Sequence, residues 1–140
     1  MTSTPKIPVP LDANRLPVPL PSSQDRLADW VEAYLAHAVT TAPVSRRAQR
    51  RDLGRFLGFM IREEGTDLRP RWTPRLTRAF LDWMISAVDP AGRRSWSDRT
   101  CNRTLAHLKT FARWVHKLAP LPLGDPFEGV HLLPVGAGLE

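Results

Sequence analysis

Residues 98–118 read DRTCNRTLAHLKTFARWVHKL, and this stretch decides the fold. Cys101, Leu105, Leu108, Phe111, Ala112 and Val115 recur at intervals of three and four, and Ala119 continues the series. That is the period of one face of an α-helix. At about 100° per residue, Arg99, Arg103, Ala106, Thr110, Arg113 and Lys117 fall almost opposite, with Asn102 and Lys109 flanking them. Ser97 offers a hydroxyl to cap the first turn. Trp96, just ahead of it, is placed to staple onto Cys101. The pattern predicts a helix ~30 Å long with one core face and one basic face.

Three more helices follow from the same period. A second is predicted over about 45–64, capped by Ser45 and closed by Gly65, with Leu53, Phe56, Leu57, Met60 and Ile61 inward. Its Gly54 and Gly58 lie four apart, and each costs a helix ~1 kcal/mol relative to alanine. That suggests close approach by another helix or by a DNA backbone, the alternative being glycines merely tolerated at the surface. A third helix is predicted over about 74–88, started by Thr73-Pro74, with Leu76, Phe80, Trp83, Met84 and Ala87 inward. A first helix is predicted over about 23–38. Ser22 or Ser23 caps it, Gln24 and Asp25 sit in its first turn, and Thr40, Thr41 and Pro43 end it. Its apolar face is Leu27, Trp30, Val31, Tyr34, Leu35 and Ala38. No stretch alternates like a strand. The expected fold is all-α: a four-helix bundle over 22–119, with loose ends.

Six of the fourteen prolines fall in residues 1–21, which reads as an extended, flexible arm. Proline and glycine recur again over 120–140, an irregular linker. The chain has 140 residues, 42% of them hydrophobic and 24% charged. No apolar run approaches the ~20 residues of a membrane span, and no secretory leader stands out, so a cytoplasmic location is expected. One cysteine excludes an internal disulfide, and four scattered histidines exclude a dense zinc site. No cofactor is expected.

Net charge is +6, and its distribution says more than its total. Residues 45–62 carry six arginines against Asp52, a net +5, and residues 93–117 carry a net +6. The remainder must therefore hold −5. Two basic stretches in an otherwise acidic chain are a footprint for a polyanion. Arginine's planar donor fork suits phosphate oxygens and the guanine edge. The candidate nucleic-acid contacts are Ser45, Arg46, Arg47, Arg50 and Arg51 on the second helix. On and before the fourth they are Ser97, Arg99, Thr100, Arg103, Lys109 and Arg113.

The run from Thr100-Cys101-Asn102-Arg103 through Leu105, Leu108-Lys109, Phe111 and Arg113-Trp114 resembles the last helix of the core-binding, SAM-like domain of tyrosine recombinases (phage integrases). Arg50-Arg51-Asp52-Leu53-Gly54-Arg55-Phe56 after Ser45 resembles that domain's second helix, and Trp72-Thr73-Pro74 the start of its third. Gly124-Asp125-Pro126 is similar to the step that leads into the family's catalytic domain. The sequence departs from the family at Gln49, where tyrosine is common, and at Arg46, where an apolar residue is. The resemblance implies a SAM-like bundle that clamps one face of double-stranded DNA with its second and fourth helices, beside neighbouring protomers. It singles out Ser45, Thr100 and Arg103 as phosphate contacts, supported by Lys109 and Arg113.

No catalytic set is expected. The family's tyrosine nucleophile belongs to a second domain, and Tyr34 lies on an apolar face. His107 and His116 are nine apart on one helix, which is not metal-ligand spacing. His37 and His131 have no evident partners. Cys101 faces the core, and no phosphate-binding glycine loop is present. Neither a membrane nor a small-molecule substrate is expected as partner. The competing reading is a helical protein–protein interaction module whose basic faces only meet solvent. A helix-turn-helix regulator fits less well, because the basic helix is long and follows a seven-residue loop.

Overall fold

A computed structural model describes residues 25–39, 42–131 and 133. The predicted arm over 1–21, the caps Ser22 and Ser23, Gln24, Thr40, Thr41 and the last seven residues lie outside them. Among the described residues are α1 (Leu27–His37), α2 (Pro43–Glu64), a 3₁₀ turn (Arg69–Arg71), α3 (Pro74–Ser86) and α4 (Asp98–Leu118). The fold is an all-α four-helix bundle, and α2 packs against both α1 and α4.

Three helix ends follow from local sequence. Thr73 accepts from the Leu76 N–H ahead of α3, and Ser97 from that of Thr100 ahead of α4. Gly65 closes α2 with φ of 76°, a conformation that costs glycine little. Two starts differ from expectation. Pro43 does not merely stop α1; it opens α2, because a first-turn proline has no N–H to lose. Ala42 is the N-cap, so Ser45 sits inside the first turn and caps nothing. α1 begins at Leu27 rather than near 23. Asp25 precedes it at φ 56°, where it accepts from Trp30 Nε1 at 2.7 Å and from Arg69 Nε. The capping carboxylate is remote: Asp67 takes the Ala28 N–H at 3.0 Å and pairs with Arg26.

The centre of the core is Trp72, fully buried, though in sequence it marks only the approach to a helix start. Its ring lies 5.0 Å from Phe56 and 6.0 Å from Phe111, so one residue ties α2 to α4. Its Nε1 donates to Thr77 at 2.9 Å, which satisfies the one polar atom buried with it. On α2, Phe59 is buried while Ile61 is 44% exposed, reversing the expected inward set at that turn. Trp96 packs on Trp83 of α3, with ring centroids 5.2 Å apart, and so bridges α3 to the start of α4.

The chain after α4 is irregular, as expected, but residues 121–131 and Leu133 are docked rather than loose. Leu121 and Phe127 are buried. Arg69 donates to the Ala119 and Pro120 carbonyls. Asn102 clasps the backbone of Leu133, accepting its N–H at 2.7 Å and donating to its carbonyl at 2.9 Å.

Candidate nucleic-acid interface

Asp52 holds the α2–α4 seam together. It is fully buried, one position from core Leu53, and lies among arginines in sequence. Burying a lone carboxylate costs several kcal/mol unless it is paired. Here Arg103 of α4 grips it with Nε and Nη2, each at 3.0 Å. His107 Nδ1 donates to it at 2.8 Å. Arg55, from its own helix, reaches both Asp52 and the buried Thr104. Burial alone would raise this carboxyl, but the hydrogen bonds and charges of His107 and Arg103 outweigh it. They hold the group down at about 2, from 3.8.

That seam sorts the arginines of α2. Counting about 100° per residue from Asp52, Arg51, Arg55 and Arg62 fall on one flank, Arg46 and Arg50 on the other. The contacts agree. Arg55 lies 5.0 Å above the Trp96 ring and Arg62 4.9 Å above Trp83. Arg46, by contrast, donates to the Val39 carbonyl, and Arg50 pairs with Glu32 of α1. Arg46 and Arg50 therefore turn away from α4. Arg47 and Arg51 are exposed on the outer surface and form no ion pair among the described residues. On the same outer stripe sit Gly54 and Gly58. No atom of another element lies within 4 Å of where a Cβ would stand at either, so no helix of the described chain closes on them.

On α4, Arg99, Arg103, Lys109 and Arg113 are all exposed, as are Ala106, Thr110 and Lys117. Arg103 lies on the flank toward α2, while Lys109 and Arg113 lie on the opposite one. Arg99, Lys109 and Arg113 have no acidic partner among the described residues. Ser97 and Thr100 are partly committed to each other, their hydroxyls 3.2 Å apart. Arg94 is paired with Asp98 ahead of the same turn. Ser45 is exposed near the start of α2.

Sequence reasoning missed two residues here. In sequence Asp52 reads as one negative charge and one position of the second-helix motif, with no partner named for it, and the spacing of His107 speaks only against a metal site. The available signal was an acid beside a core leucine in a helix of arginines. Elsewhere, Tyr34 is buried against Phe111 and Trp114, and burial pushes its hydroxyl up. Cys101 is fully buried, and burial pushes its thiol up as well. His116 accepts the Leu121 N–H. No helix among the described residues is long and apolar enough to cross a membrane. No known family model, curated protein or solved structure matches the chain.

Proposed function

We propose that this chain binds duplex DNA across the outer surfaces of α2 and α4, as a non-catalytic clamp domain of the tyrosine recombinase kind. The observation that carries the reading is the pairing of α2 with α4 through Asp52, which sets two basic faces edge to edge with most of their cations in no ion pair among the described residues. Phosphates bind such a surface through Coulomb attraction and counterion release. Gly54, exposed beside Arg47 and Arg51 with no atom within 4 Å of where a Cβ would stand, leaves room for a sugar–phosphate backbone to lie close to α2. Lys109 and Arg113 on one flank of α4, and Arg103 on the other, suit the two strands that border a groove. The motifs shared with the recombinase core-binding domain support the same arrangement, with neighbouring protomers on the DNA and strand exchange left to a catalytic domain.

Fluorescence anisotropy on a labelled duplex, across a salt series, tests this. Engagement of Arg47, Arg51, Arg99, Arg103, Lys109 and Arg113 predicts a slope of log affinity on log salt near −5, at about −0.9 per phosphate. Undetectable binding at low salt would overturn it and favour the protein-interaction reading.

A further inference from the structure

The Asp52 cluster holds two donors whose outward ends are unused. Arg103 spends Nε and Nη2 on the carboxylate, and its Nη1 has no partner among the described residues. His107 spends Nδ1 on the same carboxylate, and its Nε2 is likewise unpartnered. The two residues are one turn apart on α4 and share Asp52 Oδ2, at 3.0 and 2.8 Å. Their side chains are 42% and 25% exposed, so both reach solvent at the seam.

We propose, resting on the duplex-binding reading above, that Arg103 and His107 take one DNA phosphate between them and that His107 takes up a proton when they do. The reasoning is geometric. Asp52 is an acceptor, so the His107 nitrogen facing it carries the hydrogen. In the neutral ring the outward Nε2 then carries a lone pair, which repels a phosphate oxygen. In the imidazolium both nitrogens donate, and Nε2 becomes a charged donor. The charges at the seam are Asp52, Arg55 and Arg103, which sum to +1 with His107 neutral and to +2 with it protonated. The charged groups joined in this cluster are Asp52 and Arg55 on α2 and Arg103 and His107 on α4, and among the described residues no hydrogen bond or ion pair ties it to α1 or α3. Asp52 is a positioning residue here: it fixes the rotamers of both donors before the phosphate arrives, so less side-chain freedom is lost on binding.

The consequence is pH-dependent binding in the range where histidines exchange protons, about pH 5 to 8. One linked proton changes affinity by at most tenfold per pH unit, so duplex affinity of the whole chain should rise from pH 8 to pH 6, by no more than about a hundredfold. His107→Gln should flatten that profile at the level the unaltered chain shows at pH 8. His116→Gln, as control, should leave the profile intact. Should His107→Gln fold poorly, NMR titration of the His107 ring in the unaltered chain decides: bound duplex must shift its titration to higher pH. Binding that is strong yet flat in pH, or a His107 titration unmoved by duplex, would overturn the proposal while leaving duplex binding standing. Absence of any duplex binding would overturn both.

Discussion

Replacing Asp52 by alanine would leave Arg55 and Arg103 facing one another across the seam with no counter-charge. Arg103 is 42% exposed and rehydrates, so the loss should fall below the ~3–5 kcal/mol of a fully buried pair, at about 2 kcal/mol, still a sizeable part of the ~5–15 kcal/mol that holds a domain folded. Urea unfolding of Asp52→Ala at neutral pH should show that loss. The same carboxyl makes stability depend on acid. Its folded value, about 2, lies below the ordinary 3.8, so the unfolded chain takes up the proton first. The contribution is complete above about pH 5, amounts to about 2 kcal/mol, and is lost as pH falls through the folded value. The gap in urea midpoint between the unaltered chain and Asp52→Asn should therefore narrow from pH 5 down to pH 2; a constant gap would contradict the pairing. The arginines of this cluster were legible in the sequence as charge. Their partners were not, because Asp52 and Arg103 are 51 positions apart and nothing local couples them.

The helices themselves were largely readable, because their apolar periods and the caps at Thr73, Ser97 and Gly65 are local. Starts set from a distance were not. The cap of α1 is Asp67, 39 positions from the N–H it accepts, and no pattern around residue 27 announces it. Asp67→Ala should lower stability by about 1–2 kcal/mol, as loss of a helix cap does, read from the urea midpoint. Gly54 allows a sharper test at this scale. Nothing in the described chain lies near its missing Cβ, so Gly54→Ala should stabilise the fold by up to about 1 kcal/mol. If a DNA backbone runs against that stripe, the same substitution should weaken duplex binding. A variant that is more stable and binds DNA unchanged would place the duplex elsewhere.

At the scale of the whole molecule, the charge pattern shows that cations cluster in two segments, but only the packing shows which of them share a surface. α2 meets α1 on one side and α4 on the other, and its arginines divide accordingly. Arg50 is spent on Glu32, while Arg51, its chain neighbour, lies on the outer face with no ion pair among the described residues. The residues after α4 also join the body of the protein through Asn102, Leu121 and Phe127, so the far flank of α4 is braced. The most direct measurement compares the salt dependence of duplex affinity for three chains: unaltered, Arg51→Gln with Arg99→Gln, and Arg50→Gln. A duplex lying across both helices predicts a slope shallower by about 2 for the double variant, one from each helix, and an unchanged slope for Arg50→Gln. Equal slopes for the unaltered chain and the double variant would contradict a shared surface on α2 and α4.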